Sequence, residues 1–288
     1  MFKYIFFILS FPFSSFAQGI LDSSIFIFKK DKLSKIEYKS DKVEMDYLFN
    51  GKFALVELNN TTILNKGIQY KTSISLYDNG IVKTYIASIG DNEYKVFANF
   101  DIKGKLEKMT VFFDTFTYNV VNLIDLVVKA GAKDKYSYIL LNKQSVYDLK
   151  LYFDNKTKRL TSVNILRDNK NFGTWFIFDE DLKLNRVSSF YNHAYYGLHG
   201  TFSSSKPFII ANDYDTKHEG IFTSHTKYKE GIVAFARVYK DGGQNGNEVS
   251  FFKNGKVSSI FYLLNDRAVG KRYFYRKNGK IKRMFDPS

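Results

Sequence analysis

The strongest constraint on what this chain can fold into is a pattern stated twice near its C-terminus. Residues 246–269 read GNEVSFFKNGKVSSIFYLLNDRAV and residues 270–288 read GKRYFYRKNGKIKRMFDPS. Gly246 and Gly270 lie 24 residues apart, as do Gly255 and Gly279. In each copy a Gly opens a short aromatic run, the Gly of an Asn-Gly pair follows nine positions later, and a Lys-aliphatic run leaves. Asn-Gly between two alternating runs signals a β-hairpin closed by a type I′ turn, which requires positive φ at both central residues. Both Asn254 and Gly255, and both Asn278 and Gly279, are therefore expected in the left-handed region. A fixed period of this size means a repeat architecture.

The pattern extends backward in weaker form. Asn79-Gly80 is a clean copy, and Gly104 follows 24 residues on. Thr157, Leu182 and Gly231 stand near further multiples of the step, with Gly173 as the leading Gly of the Leu182 unit. Phe28 to Leu33 has the same form with Lys in place of the turn Gly. The expected fold is all-β: repeated antiparallel hairpins of about 24 residues in an elongated, curved, mostly single-layer sheet. One stretch breaks the period. Asn119 to Ala130 (NVVNLIDLVVKA) spaces Asn119, Asn122, Asp125 and Lys129 near the helical repeat, with Gly131 placed to cap the end. It predicts an amphipathic helix laid against the sheet, since its polar face lacks the Lys/Arg excess of a membrane-surface helix.

Residues 1–17 carry the marks of a secretory signal: Lys3, an apolar Tyr4–Phe13 core, and the small-x-small site Ser15-Phe16-Ala17. The implied organisation is signal 1–17, an N-terminal β region 18–113 with degenerate hairpins, a helical insertion 114–135, and clearer hairpin repeats over 136–288. No later stretch approaches the roughly 20 apolar residues of a membrane helix. Cysteine is absent, which excludes disulfides, thiolate metal sites and an N-terminal lipidated Cys. An exported chain beginning at Gln18, periplasmic or secreted, is expected.

The formal net charge is +14. A basic surface serves anionic lipid, acidic polysaccharide or nucleic acid, and an exported protein meets the first two. Abundant Lys, Asn, Ile, Phe and Tyr together leave a purely compositional origin open.

The hairpin units resemble the MORN (membrane occupation and recognition nexus) repeats, in the variant found in exported and antitoxin-like bacterial proteins. The likeness rests on Leu198-His199-Gly200-Thr201-Phe202, Lys217-His218-Glu219-Gly220-Ile221-Phe222 and the Asn-Gly-Lys turns at Asn254 and Asn278. It spans Gly173 to Phe285. Leu182 and Thr157 depart from it, as does the interruption at Ser203 to Pro207. The resemblance implies a sheet of successive hairpins used as a binding or scaffolding surface.

Candidate chemistry is sparse. All four histidines lie between His193 and His225, with Asp213, Asp215 and Glu219 among them. Imidazole with carboxylate is a donor set for Zn²⁺ or Mn²⁺, but no pair has His-Glu-x-x-His spacing, and the resemblance makes His199 and His218 structural residues before a leading Gly. Ser203-Ser204-Ser205-Lys206 matches Ser-x-x-Lys, yet Pro207 follows within a Ser-rich run and no Lys-Thr-Gly comes later, so a loop is expected. The last hairpin offers a binding candidate. With a two-residue turn at Asn278-Gly279, Tyr275 would face Lys282 and Tyr273 Met284 on a packed side. Arg276 would face Ile281, Phe274 Arg283, and Arg272 Phe285 on the other. That second side is an Arg/aromatic ladder suited to sugars, phosphate or uronate groups, or simply to keeping an exposed sheet soluble.

The expected function is a non-enzymatic, cofactor-free binding or scaffolding surface for a protein partner or an anionic glycan or lipid surface. No nucleic-acid partner and no transmembrane segment are expected. The alternatives are a glycan hydrolase or metal-dependent enzyme built on His193 to His225, and an antitoxin-like inhibitor.

Overall fold

The computed structural model describes residues 23–29, 32–91, 93–113, 116–129, 137–141, 146–154, 156–157, 159–202, 209–225 and 232–286. The signal-like segment, Gly131, Ser203 to Pro207 and the Gly231 turn lie outside these residues.

Among the described residues the chain is all-β apart from one α-helix and a single 3-10 turn. The first sheet is a meander of nine strands in sequence order. They are β1 (Ser23–Lys29), β2 (Lys32–Lys39), β3 (Val43–Phe49), β4 (Leu55–Ile63) and β5 (Gln69–Leu76). After them come β6 (Val82–Ile89), β7 (Tyr94–Phe100), β8 (Leu106–Phe113) and β9 (Phe116–Asn119). Helix α1 (Val120–Lys129) follows, and the second sheet opens with β10 (Ser137–Leu141), β11 (Tyr147–Phe153), β12 (Leu160–Arg167) and β13 (Lys170–Phe178). It continues through β14 (Leu184–Tyr191), β15 (Ala194–Tyr195), β16 (Gly197–Thr201), β17 (Ile209–Tyr214) and β18 (Lys217–His218). Next are β19 (Gly220–Ser224), β20 (Phe235–Lys240) and β21 (Gly243–Phe251). The sheet ends with β22 (Val257–Leu264), β23 (Arg267–Tyr275) and β24 (Ile281–Phe285). Every pairing is antiparallel, as short hairpin connections require.

The single layer expected from the repeats holds only at the C-terminal end. Over the rest, the second sheet doubles back and lies face to face on the first: β19 meets β2 and β3, β16 meets β4 and β5, and β13 meets β6. One apolar core joins the two layers, with Tyr47, Tyr70, Tyr85 and Tyr94 from the first sheet and Phe172, Phe176, Leu198 and Ile221 from the second. The physical reason is that alternating strands have one apolar side needing cover, and the apolar sides of the two sheets can cover each other. The tyrosines also supply polar tips that fix the pairing. Tyr47 donates to the Ile221 carbonyl (3.0 Å), Tyr70 Oη meets Thr174 Oγ1 (2.7 Å), and Tyr94 Oη accepts from the Thr174 amide (3.0 Å). One flank is closed by bonds between hairpin turns of the two layers: the Leu106 amide donates to the Leu182 carbonyl (3.0 Å), and Ala54 bridges Ile232.

The leading glycines have a specific role in this packing. A Cβ on Gly173 would sit 2.7 Å from the Tyr94 ring, and one on Gly197 2.3 Å from the Tyr70 ring. These positions leave room for an aromatic ring from the opposite layer.

The Asn-Gly turns differ from expectation by one residue. Gly279 holds positive φ (85°) but Asn278 does not. The Gly279 amide donates to the Arg276 carbonyl (2.8 Å), the Arg276 amide to the Lys280 carbonyl (2.8 Å), and the Lys280 amide to Asn278 Oδ1 (3.1 Å). This is a three-residue loop with the Gly in the bulge position, not a two-residue I′ turn. The same pattern holds at Gly80, Gly104 and Gly255, and Asn79 and Asn254 bond the amide two residues on as Asn278 does. Leu182 (φ 61°) and Phe53 (φ 68°) take the Gly position elsewhere. Two-residue turns with both residues at positive φ do occur, at the opposite ends of the strands: Asp168-Asn169, Asn192-His193, Asp215-Thr216 and Asn265-Asp266.

Helix α1 lies where the 3.6-residue spacing predicts. Val120 is buried, Val121, Leu123 and Ile124 pack on the core, and Asn122 and Asp125 face solvent. Asn119 caps its start, its Oδ1 accepting from the Asn122 amide (3.3 Å).

Candidate functional site

Along the second sheet, strand alternation puts Thr174, Leu198, Ile221, Ala236 and Val249 toward the first sheet and their neighbours on the outer face. That outer face carries a row of rings. Trp175 and Phe190 have centroids 5.0 Å apart, Phe190 and Tyr195 4.6 Å, and Tyr195 and His199 6.2 Å. His199 and His218 are 5.7 Å apart, His218 and Tyr239 5.2 Å, and Phe222 and Phe235 6.0 Å. Arg237 lies over Phe235 (4.4 Å) and is paired to Glu248 (2.6 Å). Phe261 and Phe274 (5.5 Å) carry the row onto the last strands. The outer face of the first sheet differs: Lys35 pairs with Glu37 and Asp46, Lys39 with Glu44, and Ser75 Oγ bonds Thr84 Oγ1.

On β22, Val257 and Ile260 still pack on the interlayer core, but strands β23 and β24 extend beyond it, with no residue buried among those described. Ile281 is 57% and Met284 53% exposed. Here the predicted ladder is partly assembled. Phe274 pairs with Arg283, Arg272 with Phe285 and Tyr273 with Met284, as expected. The bulge shifts the rest: Tyr275 faces Ile281 instead of Lys282, and Arg276 bonds Lys280 instead of facing Ile281. The guanidinium groups of Arg272 and Arg283 lie 5.5 and 5.8 Å from the Phe285 ring centre. Arg272 Nε is shielded from solvent and has no hydrogen-bond partner. Arg276 stands exposed at the turn, outside this group. From Lys253 onward the chain holds ten Lys/Arg and two Asp/Glu, so most of the +14 net charge sits on these last strands.

At the middle of the row, three adjacent strands bring together His199 (β16), Asp213 (β17) and His218 (β18). Asp213 sits opposite Gly197 on one side and opposite His218 across the Asp215-Thr216 turn on the other; His199 lies diagonally two residues on. His218 Nδ1 is 2.5 Å from one Asp213 carboxylate oxygen and His199 Nδ1 3.2 Å from the other. Asp213 is buried, and the two imidazoles face its two carboxylate oxygens. The hydrogen bond to Asp213 raises the His218 pKa above the usual imidazole range, whereas burial pushes that of His199 down.

The other candidate residues do not join this cluster. His193 occupies a hairpin turn, where its Nδ1 accepts from the Asn171 amide (3.3 Å). His225 is buried beside Thr223 (3.3 Å). Glu219 points the opposite way, into the interlayer space, where it accepts from Tyr38 Oη (3.1 Å) and the Asp241 amide (2.9 Å); burial raises its pKa. His199 and His218 are also not equivalent in the repeat. The left-handed leading position is Gly197, the first residue of β16, not Gly200, so His199 follows a leading Gly by two residues and His218 precedes one by two.

No protein-family model and no curated protein matches this sequence.

Proposed function

We propose that this chain is a non-enzymatic binding protein that presents the outer face of its second sheet to an anionic glycan. The observation that carries the reading is the row of outward rings from Trp175 to Phe235, which resumes at Phe261 and Phe274 beyond the Arg237–Glu248 pair and ends beside Arg272 and Arg283 on the most basic strands. Rings stack on the apolar faces of sugars while guanidinium groups pair with their acidic substituents, bidentately where geometry allows. A face kept only for solubility resembles the first sheet's outer face, with its short Lys–Glu pairs and hydroxyls. The MORN resemblance and the signal-like N-terminus support the same reading, a repeat surface working outside the cytoplasm.

The test is binding to a sulfated or uronate-rich polysaccharide. Reversing Arg272 and Arg283 to Glu is expected to weaken binding at least tenfold, about 1.4 kcal/mol. Reversing Lys29, Lys32 and Lys71 as a net-charge control is expected to change it far less, and reversing Arg276 alone is expected to have a small effect. Equal losses in the ladder and control variants would mean that only the background charge matters, and the proposal fails.

A further inference from the structure

We propose that His199, Asp213 and His218 form a binding site for a divalent transition-metal ion of the zinc type, with Nδ1 of each imidazole and a carboxylate oxygen as ligands. This does not rest on the glycan reading. The three donor atoms lie within 4.8 Å of one another. Zinc–ligand bonds of about 2.1 Å in a tetrahedron place ligand atoms roughly 3.4 Å apart. The separation of His199 Nδ1 from Asp213 Oδ2, 3.2 Å, already matches. His218 Nδ1 is hydrogen-bonded to the other carboxylate oxygen, Oδ1 (2.5 Å), so it has to exchange that bond for the ion. The His218 side chain is 42% exposed and has the room to do so.

The unfilled alternative, a hydrogen-bonded His–Asp–His cluster, accounts for only half of the geometry. His218 makes its bond to Asp213, but His199 Nδ1 is closed off from solvent and makes no hydrogen bond, although the carboxylate is within reach. Leaving such an atom unsatisfied costs about 1–3 kcal/mol. An ion at the centre of the triangle takes up that lone pair, the His218 lone pair and the negative charge of a buried carboxylate together. Two nitrogen donors of three select zinc-like ions over Mg²⁺ and Ca²⁺, which prefer oxygen throughout. All three ligands stand on paired strands beside a two-residue turn, so the site is held by backbone pairing. The exposed Arg186, the positive charge that acts on His199, opposes binding without entering the triangle. Three protein ligands leave a coordination position that a water or an oxygen of a bound molecule can occupy.

The full chain is titrated with Zn²⁺ alone by calorimetry, and with Co²⁺ by visible absorption. One equivalent of Zn²⁺ is expected, with Co²⁺ bands of a four- or five-coordinate ion. His218→Ala and Asp213→Asn are each expected to weaken Zn²⁺ binding at least tenfold, while His193→Asn leaves it unchanged. Unfolding curves without metal show whether each variant is folded; should Asp213→Asn fail that check, His218→Ala and His199→Gln carry the test. Zn²⁺ binding that survives in folded His218→Ala, or the absence of a stoichiometric site in the native chain, overturns the proposal.

Discussion

The face-to-face packing of the two sheets is tested most sharply at Gly197. Its φ is +89°, and an added Cβ would sit 2.3 Å from Cδ1 and 2.7 Å from Cε1 of Tyr70, in the opposite layer. An L-residue in the left-handed region costs about 1–2 kcal/mol, and overpacking a full core adds about 1–3 kcal/mol. Gly197→Ala is therefore expected to destabilise by about 2–5 kcal/mol. Gly270 is the internal control. It occupies the equivalent place one unit from the end, with φ +66°, but lies under no second layer, and an added Cβ meets nothing within 4 Å. Gly270→Ala is expected to cost only the backbone part, about 1–2 kcal/mol. Urea unfolding of the two variants gives both numbers, provided the m-value is unchanged. Repeating Gly197→Ala in a Tyr70→Ala background, where the ring is gone, is expected to reduce its cost to that of Gly270→Ala, the coupling expected of residues in contact. Equal costs for Gly197→Ala and Gly270→Ala, or strict additivity with Tyr70→Ala, would refute the two-layer packing.

Other consequences follow from the same structure. Burial raises the pKa values of Tyr47, Tyr70 and Tyr94 far above that of a free phenol. The unfolded chain loses these protons near pH 10 while the folded chain keeps them, so their contribution is complete below about pH 10 and falls above it. Stability is expected to drop by about 4 kcal/mol per pH unit beyond that point, with the tyrosinate absorbance of these three rings appearing only on unfolding. At the last turn, Gly279→Val should cost about 1 kcal/mol or more. Asn278→Ala should cost only the bond to Lys280, about 0.5–1.5 kcal/mol, because Asn278 does not hold positive φ; an equal or larger loss there would restore the two-residue turn. If residues 1–17 act as the proposed signal, N-terminal sequencing of the mature chain is expected to begin at Gln18, and a start at Met1 would contradict export.

Much of this architecture was legible because the turn chemistry is local. Gly80, Gly104, Gly255 and Gly279 each sit at a position that demands φ > 0, so their spacing displays the hairpin period directly. The loop type differs from the expected one because Asn-Gly suits both a two-residue turn and a type I turn closed by a bulge; the φ of Asn278 and the backbone bonds between Arg276 and Lys280 and from Gly279 to Arg276 separate them. The second layer was missed because an alternating strand has one apolar side whether that side meets a partner sheet or a shallow core. The overlooked signal was Tyr47, Tyr70, Tyr94 and Tyr118, spaced 23, 24 and 24 residues apart. The first three carry a hydroxyl to the second sheet. The His–Asp–His cluster depends on the register across a turn, Asp215-Thr216, that has no Gly to mark it. The resemblance also aligned Gly200 where the structure uses Gly197, which hid the difference between the two histidines.

The binding face is tested most directly by hydroxyl-radical footprinting with an acidic oligosaccharide, read by mass spectrometry. The account predicts protection of Tyr195, Tyr239, Phe235, Phe261, Phe274 and Phe285, all on the outer face of the second sheet, with Ile86 on the first sheet's outer face unchanged. Protection centred on the first sheet, or none on the ring row at saturating ligand, would contradict it.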